Sequence, residues 1–317
     1  MAGKLKVACI YDFDLTLSEE YQQFPIFREF ADGIRKKYGI TSIDDYFPTL
    51  CSGQGIDVGV GAMQQVLRDA QDIFPNLTNE RLRRVYGPQI QLAPGLPEWF
   101  PRMTDYAREL SLDLSHHVIS AGFSPLIEGT SLTPYLASIR SGTFLEGSQG
   151  IERIKTIVDP NSKREEIIKI CKGTDVHEDV SIDDYHITYE NVIVIGDGSS
   201  DRRKFNFILE RGGIAIGVYP CGDNEHKERA QRDLTGRVHY LVPRDYTSHS
   251  SLELMVRHSL EKMATRTCQF DFHLVHGLKL NHMRSPELKE ITQKHLEGCD
   301  DCQERNKDTI LLEEQAF

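Results

Sequence analysis

Long hydrophobic runs are missing from this 317-residue chain. No stretch approaches the roughly 18 consecutive apolar residues of a membrane-spanning helix, which excludes a helical membrane protein. The opening residues, MAGKLKVACIYDFDLTLS, carry lysines but no apolar segment ending in a small-residue cleavage site. The expectation is therefore no signal peptide and a cytoplasmic location. Positive charge is also scarce: 37 Lys and Arg stand against 48 Asp and Glu, a net charge of −11. Such a chain gains little from the phosphate backbone of DNA or RNA, so no nucleic-acid partner is expected. A small anionic substrate remains compatible, because a site can be locally positive on an acidic protein. Cysteine is sparse and odd in number, seven scattered residues, which fits reduced thiols rather than a disulfide framework. No internal repeat or low-complexity tract occurs, and 39% hydrophobic with 27% charged residues excludes collagen-like, coiled-coil and disordered chains.

What is present is a set of short, continuous apolar runs rich in β-branched residues: 7–11 (VACIY), 117–120 (HVIS), 192–195 (VIVI), 214–218 (IAIGV) and 238–242 (VHYLV). Continuous rather than alternating apolar character points to strands covered on both faces, as in a parallel sheet. Helical patterns at 162–172 and 250–264 alternate with them. The expected class is α/β, a doubly wound and mostly parallel sheet. Residues 18–102 differ, with amphipathic helical patterns at 19–38, 58–74 and 79–85. They predict a helical cap inserted after the first strand. The core would then comprise 1–17 and 103–265, with an acidic surface insertion at 173–190 and a C-terminal appendage at 266–317.

The chemistry-bearing residues fall at predicted strand ends, where open α/β sheets bind ligands. Asp12-Phe-Asp14-Leu-Thr16 closes the first run. Two carboxylates there are expensive unless a cation or a reaction uses them; one can act as nucleophile while the other shuttles a proton. Gly196-Asp197-Gly198-Ser199-Ser200-Asp201 follows the VIVI run. If both strands neighbour one another, Asp12, Asp14, Asp197 and Asp201 converge into a hard-cation site suited to Mg²⁺. Ser120, followed by Ala121 and Gly122, supplies a hydroxyl and backbone N–H groups able to hold phosphate oxygens. Such a site also needs a fixed positive charge. Lys163 fits best, just after Asn161-Ser162 at a predicted helix start, with Lys155 and Lys169 as competitors.

Taken in order, these residues resemble the haloacid dehalogenase-like (HAD) hydrolase superfamily over roughly residues 4–265, with the insert looking like the C1-type cap of phosphoserine phosphatase-like members. The resemblance implies that Asp12 attacks phosphorus and forms an aspartyl-phosphate. It implies that Asp14 protonates the leaving oxygen and later activates water, its backbone carbonyl also facing Mg²⁺. Thr16 would fix the loop, Ser120 with nearby N–H groups would hold the phosphoryl oxygens, and Lys163 would offset charge. Asp197 would bind the metal and Asp201 would order its waters or Lys163. Because a halide leaves without a proton, an acid/base aspartate at position 14 implies phosphoryl transfer rather than dehalogenation. The interval from Lys163 to Asp197 is long for this family. Glu19 and Glu20 lie near the family's serine-recognising glutamate without matching its register, so phosphoserine specificity is not carried over. The expected partner is a small phosphorylated metabolite.

The tail holds His295-x3-Cys299-x2-Cys302, a metal-ligand spacing that resembles the zinc motif of anti-sigma-factor domains. Zinc would need a fourth ligand, with Cys268, His273, His276 and His282 as candidates; the competing reading is a polar helix end with two free thiols. The alternative to an enzyme is a non-catalytic or regulatory interaction protein that keeps the fold.

Overall fold

The structure, a computed structural model, describes residues 4–46, 58–181, 184–266, 290, 293, 294, 296–300 and 303. His295 and Cys302, with Cys268, His273, His276 and His282, lie outside the described residues, so the zinc expectation does too.

Seven strands form one sheet: β1 (Leu5–Tyr11), β2 (Leu112–Phe123), β3 (Ser138–Gly147), β4 (Gly150–Thr156), β5 (Val192–Gly196), β6 (Ile214–Tyr219) and β7 (Tyr240–Pro243). Their spatial order is β4-β3-β2-β1-β5-β6-β7. Every pairing is parallel except the β3–β4 hairpin. The chain builds outward from β1 to one side, then returns to lay β5 against its other side. β1 and β5 are thus direct neighbours, and the direction of winding reverses between them.

The apolar runs are continuous because both faces of the sheet are covered. Val7, Cys9 and Tyr11 of β1 point into one core, with Ile193 and Ile195 of β5. Ala8 and Ile10 point into the opposite core, with Val192 and Val194. Each fully buried aliphatic side chain of this kind stabilises the fold by about 1.5–3 kcal/mol. The described α-helices longer than a single turn are α1 (Phe24–Glu29), α2 (Ala31–Tyr38), α3 (Val58–Asp69), α4 (Trp99–Glu109), α5 (Ser124–Glu128), α6 (Lys163–Lys172), α7 (Arg202–Leu209), α8 (Asn224–Leu234) and α9 (Ser251–Ala264). α6 and α7 cover one face, and α4 and α9 the other. α1 to α3 form the inserted helical cap. None of the described helices is long and apolar enough to cross a membrane.

Several expectations are corrected. The β3–β4 hairpin has no counterpart among the predicted runs. The pattern at 19–38 divides at Phe30 into α1 and α2, and α3 ends at Asp69 rather than 74. Residues 79–85 form a short α turn, Asn79–Arg81, that widens into a π-helical turn, Leu82–Tyr86. The segment 173–190 is not all surface: Ile187 is buried, and its N–H donates to the carbonyl of Cys171.

Candidate active site

Asp12 stands one residue past β1 and Asp197 one residue past β5, at the carboxyl edge where the winding reverses. The Asp12 N–H donates to the Ile195 carbonyl at 2.9 Å, fastening the two strand ends together. Beyond Asp12 the chain wraps around the Phe13 carbonyl, which accepts from the backbone N–H groups of Thr16, Leu17 and Ser18. Leu15 takes a left-handed conformation to complete the turn, φ 58°, and Arg244 beyond β7 donates to its carbonyl at 2.8 Å. A strained non-glycine residue at such a loop persists only because its surroundings over-determine it.

Asp12, Asp197 and Asp201 each offer a carboxylate oxygen, and these atoms lie within 4.8 Å of one another. Asp12 and Asp201 are buried and Asp197 is partly so. Lys163, at the first turn of α6, is 1% exposed and reaches Asp12 Oδ2 and Asp201 Oδ1, each at 2.9 Å. Its position is set by the preceding turn: the N–H groups of Asn161 and Ser162 donate to Asp159 Oδ1. Ser162 occupies the N-cap position of α6, but its hydroxyl folds back on Asp159 instead of accepting from the first turn. Of the competing lysines, Lys155 is exposed and Lys169 pairs with Glu166.

Asp14 does not share the three-carboxylate focus with its side chain. Its Oδ1 accepts from the Gln22 backbone N–H at 2.8 Å and its Oδ2 from the Gln22 side-chain amide at 3.1 Å. Ser120 does not end its strand as expected, since β2 runs on to Phe123. Its pairing with β3 breaks between Ile119 and Phe123, however, so Ser120, Ala121 and Gly122 form an irregular stretch at the sheet edge. The Ser120 hydroxyl accepts from the Gly122 N–H at 3.0 Å. The Thr16 hydroxyl is fully buried and has no hydrogen-bond partner.

The electrostatics separate these groups. Burial raises Asp12, Asp201 pushes it further, and Lys163 opposes both. Burial lifts Asp14 to about 7 against the two Gln22 hydrogen bonds. Burial, followed by the charges of Asp201 and Asp12, lifts Asp197 to about 8. For Asp201 the burial penalty is outweighed by Lys163 and Lys204, which hold it below the usual carboxylate range. Lys163 is likewise raised, because its two carboxylate partners exceed the desolvation penalty. Clustered, desolvated carboxylates are the donor set of a hard divalent cation. Asp201 Oδ2, buried and without a hydrogen-bond partner, is consistent with that fit.

Three residues of the site were not anticipated. Lys204 on α7 is fully buried, with Nζ 2.8 Å from Asp201 Oδ1. The i, i+3 spacing from Asp201 was a usable signal, but nothing separates it from the adjacent Arg202 and Arg203 by sequence. Arg244 is remote from any motif, and Gln22, though only six residues past Thr16, stands beside Gln23 with nothing in the sequence to mark it.

No family model and no curated protein matches the sequence. Solved structures resemble its fold. A HAD-family hydrolase from Salmonella enterica serovar Typhi superposes with a TM-score of 0.52 at 15% identity, over 80% of this chain and 71% of that one. A substrate-bound phosphoserine phosphatase gives 0.47 at 16% identity, over 71% and 91% of the two chains. A phospho-aspartyl intermediate analogue of phosphoserine phosphatase gives 0.48 at 16%, over 80% and 99%. The likeness is one of fold: this chain has a HAD-like Rossmannoid core with an inserted helical cap.

Proposed function

We propose that the protein is a divalent-metal-dependent phosphatase acting on a small phosphomonoester through an aspartyl-phosphate. The observation that carries this reading is the buried grouping of Asp12, Asp197 and Asp201 at one strand edge, with Lys163 bridging Asp12 and Asp201.

In this reading the Asp12 carboxylate attacks phosphorus and the bond from phosphorus to the leaving oxygen breaks. Asp14 donates its proton to that oxygen. Asp14 then takes a proton from water, whose oxygen attacks phosphorus and releases Asp12 and inorganic phosphate. A carboxyl held near 7 suits both halves of this cycle, since each needs a different protonation state. Lys163 offsets the repulsion between a carboxylate nucleophile and an anionic phosphate. Ser120, Ala121, Gly122 and Thr16 are assigned to the phosphoryl oxygens and the loop that meets them. Asp12, Asp197, Asp201 and the Asp14 carbonyl would hold Mg²⁺, which when bound supplies charge neutralisation and orients the phosphate. The cap favours a small substrate, because a helical lid over the strand edge excludes water and large chains.

The test is turnover of an aryl phosphate, then a panel of phosphorylated metabolites, with Mg²⁺ and with chelator. Metal-dependent hydrolysis by the wild type and its abolition in Asp12→Asn are expected, because an amide is a poor nucleophile. Undiminished hydrolysis by a folded Asp12→Asn protein contradicts the nucleophile assignment. No turnover across the panel favours a non-catalytic interaction protein.

A further inference from the structure

We propose that Gln22 is a positioning residue that braces Asp14 against the phosphoryl-holding stretch of β2. The inference rests on the phosphatase reading above.

Gln22 sits where the first loop turns into the cap, and its side chain is fully buried. Its backbone N–H donates to Asp14 Oδ1 at 2.8 Å and its side-chain Nε2 donates to Asp14 Oδ2 at 3.1 Å. Both oxygens of the carboxylate are therefore gripped by one residue. The other end of the same amide faces β2: Oε1 accepts from the Phe123 N–H at 2.8 Å, and Nε2 lies 3.5 Å from the Ser120 hydroxyl. The chemistry of these partners fixes which way round the amide lies. A backbone N–H requires the oxygen, and a carboxylate requires the nitrogen. One planar group thus spans the distance between the acid/base carboxylate and the edge assigned to the phosphate.

The β2 side is shaped for this contact. A Cβ added at Gly122 would lie 1.9 Å from Gln22 Nε2 and 2.3 Å from its Cδ, so the amide packs directly on the glycine backbone. A residue used only to fill space would not need a donor at one end and an acceptor at the other. Because a proton must pass between Asp14 and an oxygen bonded to phosphorus, small errors in the spacing of these two edges slow the chemistry itself. Ground-state binding is less affected.

Gln22→Glu separates this role from packing. It is isosteric and keeps the acceptor for Phe123, but replaces the amide donor to Asp14 with a second carboxyl oxygen, which repels the Asp14 carboxylate or ties up its proton and so spoils the acid/base role in either state. With an aryl phosphate and Mg²⁺, kcat is expected to fall about 100-fold, the scale of an ångström of misplacement, while KM changes little. Gly122→Ala, which pushes the amide aside, should lower kcat in wild type yet add little in a Gln22→Ala background. Amide hydrogen exchange supplies a readout independent of turnover. Phe123 exchange should quicken in Gln22→Ala and stay slow in Gln22→Glu. Wild-type kcat in Gln22→Glu, from an active wild-type enzyme, overturns the inference and leaves the phosphatase reading standing. If wild type hydrolyses nothing, that reading fails instead, and unchanged Phe123 exchange in Gln22→Ala then disposes of the brace as well.

Discussion

Asp201 is the residue on which the site's charge balance turns. Lys163 and Lys204 approach the same oxygen, Oδ1, from two different helices. A carboxylate enclosed this way is stable only as part of the ion group, since an isolated buried charge carries a penalty of several kcal/mol. Gly196 lets it fit: a Cβ there would lie 2.0 Å from Asp201 Oδ2. Lys204→Met is expected to lower stability by about 3 kcal/mol, the scale for breaking a buried pair. Removing the charge it leaves, in Asp201→Asn/Lys204→Met, should recover part of that loss. Denaturant midpoints of the two single variants and the double variant check this. Strictly additive losses would show that Lys204 does not support Asp201.

At the scale of elements, the β3–β4 hairpin is the largest part of the fold that the apolar pattern did not announce. β3 buries only a few of its positions and β4 buries mainly its first two. The ladder between them shifts register twice. A half-exposed, irregular edge pair carries neither a continuous run nor a clean alternation, so periodicity has nothing to register. The hairpin nevertheless props the cap. Ile151 N–H donates to the Leu77 carbonyl at 2.7 Å, and the Asn79 side chain donates to the Phe144 carbonyl at 3.1 Å. Gly150 makes the close approach, with φ 112° and an added Cβ 2.4 Å from the Leu77 oxygen. Gly150→Ala should therefore cost about 2 kcal/mol from backbone strain alone and speed hydrogen exchange at Ile151. Unchanged exchange there would mean that the cap does not depend on this contact.

At the scale of the whole molecule, pH should act through groups buried by the assembled sheet. His116 and His117 sit side by side on β2. Burial pushes His116 down to about 3, and burial with Arg140 pushes His117 down to about 4, from an ordinary 6.5. Burial holds both neutral, and each ring nitrogen has a hydroxyl beside it: Tyr11 and Thr104 for His116, Ser138 and Ser115 for His117. Above pH 6.5 neither native nor unfolded histidine binds a proton. Below it the unfolded chain does and the native one does not, so this contribution to stability is lost as pH falls toward the native values. Asp14 and Asp197 act in the opposite sense. Their native pKa values are raised, so their contribution is full below the unfolded value and is lost as pH rises through about 7 and 8. The histidine effect is therefore read as a difference. Between pH 6.5 and 5, wild type should lose about 1 kcal/mol per pH unit relative to His117→Asn, the slope steepening toward the single-proton limit of about 1.4 as the unfolded histidine fills, measured by urea denaturation. Parallel pH profiles for the two proteins would contradict the assignment.

By itself the sequence determined the α/β class, the central strands and the presence of an inserted helical cap. Burial on both faces leaves long β-branched runs, and an inserted set of helices interrupts them visibly. It also marked the carboxylates at the ends of β1 and β5, because charge placed directly after a buried strand is conspicuous. Only the tertiary structure decided which distant groups meet those carboxylates. Lys204 and Arg244 are ordinary basic residues until folding turns them inward, and Gln22 is an ordinary polar residue until β2 is laid beside it. Their roles depend on distances between segments far apart in the chain, and no local pattern of apolar and polar residues encodes such distances.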